Sequence, residues 1–452
     1  MLNKIKKVLF QVFLFALPFQ TIYIVKEQFL NMSKWQYGTL GFYLTELLLW
    51  LLIIFFISDY FVLLKKKKIK IDRGWSKEKL FSVSILFFLF YLLFNTFFTT
   101  LDLQIAWQVT RWWMLSFLFF IILTSRFLEL KEILWPVVLG SILPSVLGIW
   151  QFLSQHSFAN KFLGLALHAP EVSGVSVIAS DSIGRWLRAY GTFSSPNIFG
   201  GYLVLTIFFT FLLMKRVVEK KQKLFLIVIM LLQTMALFFT FSRTAWFAWF
   251  VFVIFIFLYC LIKNKKVAWT MIFSVIIFTM MFNFYWPLVL TRTNTQSVYE
   301  MKSISERVVG YGEALKIWDN HKYIGVGPGN YTLASYNLDP SHNGTTYQPV
   351  HNIFLLFIVE NGIVGFAFFC FILATFFIYY MSILNKKKVF FCFILAIIFL
   401  ILGFFDHYLI SSYVGLMIFS LYLAVMAVCP QSSPLICPQK NKIGCFKPIF
   451  FD

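Results

Sequence analysis

A histidine marks the boundary between the largest polar loop of the chain and a long apolar segment. His351 opens the stretch HNIFLLFIVENGIVG at 351–365, in a chain that is otherwise dominated by apolar runs. An imidazole accepts a proton near neutral pH, so it suits the role of a general base. At a membrane boundary it would meet the reactive end of a lipid-carried substrate. We therefore take His351 as the candidate base.

Arginines are the second group that could do chemistry. Five of them fall on the membrane face opposite the lysine-rich loops, where the topology rule depletes positive charge: Arg185, Arg188, Arg243, Arg292 and Arg307. A guanidinium group is a planar fork that matches phosphate oxygens. Loop ion pairing or headgroup contact would explain one such arginine alone. Five on one face favour a shared anionic ligand, and a departing pyrophosphate would need such fixed cations.

Several other chemistries lack their motifs. The chain has no G-x-x-x-x-G-K-[ST] loop, no H-E-x-x-H and no G-x-S-x-G. The acidic residues on the arginine-bearing face form no D-x-D pair, which disfavours a nucleotide-sugar site built around a divalent metal. Diphosphate is a good leaving group, so arginines can replace a metal. We expect neither a metal nor a cofactor.

The composition identifies the elements that must position these residues. The chain has 452 residues, of which 60% are hydrophobic and 13% charged, with repeated apolar runs. Such runs predict a polytopic helical membrane protein. The net charge of +20 does not indicate nucleic acid, because lysines cluster in short loops that the positive-inside rule assigns to the cytoplasm: 65–70, 215–223, 263–266 and 385–388.

We predict an all-α integral membrane fold of about twelve transmembrane helices, near 7–25, 40–64, 80–99, 103–123, 132–153, 193–214, 222–241, 244–262, 267–290, 350–385, 389–405 and 408–428. Two extracytoplasmic loops exceed the length of simple connectors, a smaller one at 154–192 and a large one at 291–350. The large loop is expected to hold a short amphipathic helix and a glycine turn. Residues 1–428 then form one membrane domain, and 429–452 a cytoplasmic tail.

Two details of the spans bear on the site. Segment 350–385 is too long for one upright span, and Asn361-Gly362 is a helix-stop pair. We expect an interfacial or re-entrant helix over about 350–360, with His351 in its first turn. Glu46 and Arg111 lie inside their spans at similar depth, where charges are costly unless paired. A structural salt bridge between them is the first expectation, a cavity wall the second.

The chain resembles the bacterial O-antigen ligase and O-antigen polymerase family. The resemblance rests on five stretches in order: RAYGTFSSPNIFGGYL (188–203), FTFSRTAW (239–246), the loop 305–331, HNIFLLFIVENGIVG (351–365) and FFDHYLISSYVGLM (404–417). It implies a GT-C-like, metal-independent, inverting glycosyltransferase of envelope polysaccharide biosynthesis. Such enzymes lie in the inner membrane, act on its outer face, and take undecaprenyl-pyrophosphate-linked glycans as donors. Their other partners are a glycan acceptor and membrane lipid.

The resemblance also implies roles for particular residues. The family histidine falls on His351, as general base or acceptor-positioning residue. Family arginines fall on Arg188, Arg243 and Arg307, as ligands of the pyrophosphate, whereas Arg185 and Arg292 match no family position. The supporting candidates lie in the same stretches: Asn352, Asn197, Asp406 and His407.

Three functions remain open on the sequence. A ligase would attach finished glycan to lipid A-core or another envelope acceptor, and the single dominant loop at 291–350 favours it. A polymerase would join repeat units, and the second loop at 154–192 keeps that alternative. A transporter of lipid-linked glycan is the rival from another class. It would usually show charged groups at the bilayer midplane and two related halves, which this sequence lacks.

Overall fold

The computed structural model describes residues 2–65, 76–125, 128–180, 184–263, 265–293, 298–383 and 386–428. Helices account for 71% of the structure, and there is little strand. Among the described residues, six helices are long and apolar enough to cross a membrane, and one bent pair would add a seventh. These findings confirm a helical protein with several membrane spans. The number of about twelve, the GT-C-like class and the loop layout stay predictions, and the predicted tail 429–452 lies outside the described residues.

The N-terminal part of the chain contains one long β-hairpin among its helices. The elements in order are α1 (Leu2–Ala16), β1 (Ile22–Leu30), β2 (Ser33–Tyr43), α2 (Leu44–Lys65), α3 (Lys77–Phe98), α4 (Leu103–Thr124), α5 (Leu130–Gly140) and α6 (Ile142–Ser154). The strands pair antiparallel through a tight turn at Asn31 and Met32, whose φ angles of 48° and 62° are left-handed. This left-handed pair matches the twist that two-residue hairpin turns require.

The structure contradicts two predictions made from the sequence, one about the first span and one about the fold class. A span at 7–25 is wrong, because α1 ends at Ala16 and residues 22–25 already belong to β1. The fold is also not purely α-helical, since a second hairpin lies within 154–192. The polar residues Lys26, Glu27 and Gln28 follow directly in β1, which is inconsistent with continued burial in lipid. The first apolar run therefore leaves the helical state at Ala16, two residues before Pro18.

The remaining elements follow from the second hairpin onward. They are β3 (Val177–Ser180), β4 (Gly184–Leu187), α7 (Pro196–Met214), α8 (Lys220–Phe239), α9 (Arg243–Lys263), α10 (Lys265–Phe284), α11 (Trp286–Thr293), α12 (Val298–Asn320), α13 (Tyr331–Leu338), α14 (Ile353–Ile383), α15 (Lys386–Phe405), α16 (Tyr408–Ser411) and α17 (Tyr413–Val428). Helix α7 is apolar on all sides and almost wholly buried, as expected of a central helix. It packs against α5, α8, α9 and α17.

Two helices break near the site. Gly362 in α14 has φ 64° and ψ −178°, so the helix stops there and restarts, which confirms the break expected at Asn361-Gly362. A Cβ at Gly362 would lie 2.2 Å from the Tyr323 carbonyl oxygen, so only glycine fits. Helices α10 and α11 meet at an angle of 85°, where 267–290 was expected to be one span.

The structure also tests the predictions for the large loop and for the Glu46–Arg111 pair. The amphipathic helix of the loop is α12, which has 23 residues and is therefore longer than expected. A glycine turn follows it, with positive φ at Gly325, Gly327 and Gly329. Arg111 Nε lies 2.7 Å from Glu46 Oε1, which confirms the structural salt bridge.

Candidate active site

The corner between α8 and α9 organises the site. Helix α8 ends at Phe239, and Phe241 takes a left-handed φ of 46° that stops the helix. The Ser242 hydroxyl then accepts a hydrogen bond from Ala245 N–H at 3.4 Å and caps α9. The chain therefore reverses within three residues, and Arg243 is the first residue of α9.

Backbone carbonyls of this corner bind two arginines. Arg188 Nε donates to the Thr240 carbonyl oxygen at 2.7 Å, and Arg292 Nη2 donates to that of Phe241 at 3.2 Å. Arg243 Nη1 donates in turn to the Arg292 carbonyl oxygen at 3.2 Å. These hydrogen bonds bring the guanidinium groups of three arginines to the corner.

Arg188 reaches this corner because the segment after β4 is tied down. Ala189 N–H donates to the Phe239 carbonyl oxygen at 2.9 Å. The Gln151 side-chain oxygen accepts from the N–H groups of Tyr190 and Gly191, at 3.0 and 2.8 Å. Gly191 has φ 59°, a conformation that favours glycine. Arg188 itself is buried.

The start of α7 supplies a bridging amide. Ser195 caps the helix and Pro196 occupies its first turn, a pairing typical of helix N-termini. Asn197 Oδ1 accepts from Arg188 Nη2 at 2.9 Å, and Asn197 Nδ2 donates to Asp406 Oδ2 at 2.9 Å. The amide therefore connects a guanidinium group to a carboxylate.

Asp406 brings the two histidines together. His351 Nδ1 lies 3.4 Å from Asp406 Oδ1, and the same oxygen accepts the His407 backbone N–H at 2.8 Å. The His407 ring lies 5.1 Å from the His351 ring, and its Nδ1 is 2.7 Å from the Ser411 hydroxyl. A carboxylate at Nδ1 of a histidine orients the ring and sets its tautomer. His351 Nε2 makes no hydrogen bond to the described residues.

The charges of the group influence one another. Burial opposes ionisation of Asp406, but its hydrogen bond and charge interactions with His351 and His407 hold the pKa of its carboxyl well below the usual range. Burial lowers the pKa of His407 to about 4, although Asp406 opposes that shift. Near neutral pH the group therefore holds an ionised Asp406 and a neutral His407.

His351 differs slightly from its expected position. It lies just before α14 rather than in the first turn, because Asn352 is the residue that caps the helix. The Asn352 side-chain oxygen accepts from the N–H groups of Phe354 and Leu355 at 2.9 and 3.0 Å. The cap fixes the direction in which the chain enters α14, and thereby the place of His351.

One cavity of about 460 Å³ collects these groups. We call it the arginine cavity, and its lining includes Arg188, Arg243, Arg292, Arg307, Asn197 and His351. Of these, Arg307 comes from α12 in the large loop. Glu306 is an acidic residue in the lining, but the basic side chains outnumber it. Such a cavity suits a ligand with several negative charges.

The structure thus brings together the four residues singled out for chemistry, Arg188, Arg243, Arg307 and His351. It does not bring Arg185 to them, because the Arg185 guanidinium hydrogen-bonds to the Pro170 carbonyl away from the cavity. Sequence reasoning set Arg292 aside, yet it lines the cavity through the bend between α10 and α11. Its only sequence signal was membership of the group of five arginines.

The cluster of His351, Asp406 and His407 could also offer ligands to a metal ion. Their ligand atoms lie within 4.8 Å of one another. Both Asp406 oxygens already accept N–H groups, and His407 Nδ1 already pairs with Ser411. The present partners therefore fit a hydrogen-bonded network around His351.

Comparison with known proteins agrees with the sequence resemblance. Residues 225–370 match the family described as O-antigen ligase. The match covers about a third of the chain, including the S-R corner, the large loop and the H-N motif, and it supports the resemblance to the O-antigen ligase and polymerase family. No curated protein matches the chain.

Proposed function

We propose that this protein is an O-antigen ligase-type glycosyltransferase. It moves a glycan from undecaprenyl pyrophosphate to a hydroxyl of lipid A-core or another envelope acceptor, on the extracytoplasmic face of the inner membrane. The observation that carries the proposal is the arginine cavity, where several guanidinium groups line the same space as His351. The family match supports a ligase or a polymerase.

The proposed reaction needs no metal. Arg188, Arg243 and Arg307, joined by Arg292, bind the pyrophosphate and stabilise the charge that it gains in the transition state. The acceptor oxygen attacks the anomeric carbon from the opposite side, and the bond from that carbon to the phosphate oxygen breaks. His351 Nε2 takes the acceptor proton while Asp406 holds Nδ1. The product is inverted at the anomeric carbon, and the polyprenyl pyrophosphate leaves.

An apolar groove beside the cavity fits the lipid part of this donor. It has a volume of about 440 Å³ and is lined mainly by aliphatic and aromatic side chains of α15, among them Leu400, Ile401 and Phe404. Phe405 lines both the groove and the arginine cavity. A polyprenyl chain in the groove would therefore present its pyrophosphate to the arginines.

A transfer assay in detergent tests the proposal against transport. Purified protein is mixed with lipid-linked glycan and acceptor extracted from a strain that lacks the gene. Glycan transfer in micelles requires an enzyme, since no barrier remains to be crossed. Absence of product from active preparations of both substrates would contradict the proposal.

The same deletion strain separates ligase from polymerase. Loss of a ligase leaves long glycan on the lipid carrier, so the surface acceptor carries none. Loss of a polymerase leaves the acceptor capped by a single repeat unit. Surface glycans run on a gel distinguish the two patterns, and a single-repeat pattern would overturn the ligase assignment in favour of a polymerase.

A further inference from the structure

A second cavity lies next to the arginine cavity and has different chemistry. It has a volume of about 300 Å³, at the lower end of the range of roughly 300–1,000 Å³ for ligand pockets. Its walls come from the β1–β2 hairpin, α4, the start of α13, the first half of α14 and the α16–α17 turn. We call it the hairpin cavity.

The two cavities share a partition. Ser195 and Gln348 line the arginine cavity, whereas their chain neighbours Ser194 and Pro349 line the hairpin cavity. Tyr37 of the hairpin cavity packs edge-on against His407 with ring centroids 6.0 Å apart. Because His407 in turn contacts His351, the rings of Tyr37 and His407 connect the hairpin cavity to the proposed base.

The lining of the hairpin cavity does not suit the pyrophosphate. No arginine occurs among its described lining residues, and Lys34, its basic residue, already pairs with Glu27 at 2.5 Å. Glu360 adds a buried carboxyl group. A carboxyl group hydrogen-bonds with hydroxyls in either protonation state, and it repels phosphate when it is ionised.

The same lining suits a ring that carries several hydroxyls. The aromatic side chains of Tyr37, Tyr43 and Trp112 provide flat walls, and the amides of Gln20 and Gln36 provide both donors and acceptors. Gln20 Nε2 is buried and has no hydrogen-bond partner in the described part of the chain. A buried donor without a partner is costly, and a ligand oxygen would satisfy it.

We propose that the hairpin cavity binds a sugar ring of the glycan acceptor, and that Gln20 Nε2 donates a hydrogen bond to one of its hydroxyls. This inference rests on the proposed transferase function, and it gives that function a separate acceptor site. The bound ring lies on the hairpin side of the partition, the acceptor glycan extends from it past the partition to place its reactive hydroxyl at His351, and the pyrophosphate stays on the arginine side.

Gln20→Leu is the sharpest variant. Leucine has a similar volume and removes the unpartnered donor, so the fold should keep or gain thermal stability. The matched control is Gln28→Leu in β1, shortly after Gln20 in the chain, because Gln28 lines neither cavity. In the detergent transfer assay, Gln20→Leu should raise KM for the acceptor about threefold to tenfold, as for one lost neutral hydrogen bond. KM for the donor and kcat should stay unchanged.

Direct binding separates this proposal from the transferase function. Saturation-transfer NMR measures binding of free glucose, galactose and N-acetylglucosamine to the full-length protein, with glycerol as the negative control. Wild type and the Gln28→Leu variant should bind at least one of these hexoses, and Gln20→Leu should bind it about threefold to tenfold more weakly.

Three results would overturn the proposal. One is no hexose binding by wild type, and another is equal binding by wild type and Gln20→Leu. The third is a rise in KM for the donor instead of the acceptor. Gln20-dependent hexose binding without any transfer by wild type would overturn the transferase function and the acceptor role, while the sugar site itself would stand.

Discussion

The arginine cavity and the hairpin cavity adjoin at Ser194-Ser195 and at Gln348-Pro349, but their walls come largely from different parts of the chain. The first is built by the α8–α9 corner, the segment around Arg188, and the large loop, and it concentrates positive charge. The second is built largely by residues before 113 and after 328, with aromatic rings, amides and a carboxyl group. The matched family region, 225–370, contributes three of the four arginines but not the hairpin. The proposed pyrophosphate site and the proposed sugar site are therefore built largely by separate parts of the chain.

The largest expected effect comes from substitution of the proposed base. His351→Ala should lower the transfer rate by about 10²–10⁴-fold, the usual contribution of a general base. Binding of donor and of free hexoses should persist, since neither the arginines nor the hairpin cavity lining changes. Transfer is measured in detergent with matched protein amounts. A variant with the wild-type rate would show that another group takes the proton.

A smaller loss is expected when His351 is left in place but loses its orientation. Asp406→Asn should lower kcat about tenfold to a hundredfold, because an amide does not hold the tautomer that leaves Nε2 free. KM for donor and acceptor should change little, since Asp406 lines neither cavity. A rise in KM with unchanged kcat would mean that Asp406 only maintains the shape of the site.

The arginine side can be tested with a matched pair. Arg188→Lys should raise KM for the donor about tenfold, because lysine cannot serve Thr240, Asn197 and a phosphate oxygen at once. Arg185→Lys is the control, since the Arg185 side chain contacts the Pro170 carbonyl outside the cavity. Equal effects of the two substitutions in donor titrations would remove the argument for a built pyrophosphate site.

The smallest expected effect concerns stability at low pH. The pKa of His407 is about 4 in the folded protein and ordinarily 6.5, so the unfolded chain binds a proton at a higher pH than the folded one. This contribution to stability is complete above pH 6.5 and is lost as the pH falls towards 4. The pKa of Asp406 is also lowered, and its effect on stability therefore falls at a more acidic pH than the effect of His407.

His407→Gln removes this titration and keeps a polar group near Ser411. The wild-type Tm in detergent should fall by a few degrees more than that of the variant between pH 7 and pH 4, as measured by intrinsic fluorescence. Parallel curves for the two proteins would contradict a neutral, buried His407.

Most of the arginine cavity could be predicted from the sequence, because most of its key residues lie in short, informative motifs. Arg188, Arg243 and His351 each lie in a short motif beside the end of a strand or helix, where residue type and position are informative, whereas Arg307 lies inside α12 and was singled out by the family resemblance. The helix break also had a local signal, because Asn361-Gly362 is a stop pair.

What the sequence did not reveal depends on tertiary contacts or on weak local signals. Arg292 enters the cavity only through the bend after α10, and Asp406 joins His351 only when α14 and α15 pack together. The β1–β2 hairpin was missed because Ile22, Ile24 and Val25 extend the preceding apolar run. Its turn uses Asn31-Met32 rather than an Asn-Gly pair.

The hairpin also has a consequence for biogenesis. Trp35 Nε1 donates to the Thr332 hydroxyl at 3.2 Å, and Asn31 Nδ2 donates to the carbonyl oxygens of Pro340 and His342, both at 2.6 Å. The ribosome therefore synthesises the hairpin some 300 residues before the segment that the hairpin contacts. Ser411 and Ser412, which close the hairpin cavity, emerge from the ribosome later still. A chain that ends before α16 lacks part of the hairpin cavity, so under the proposed function transfer begins only after α16 has been synthesised.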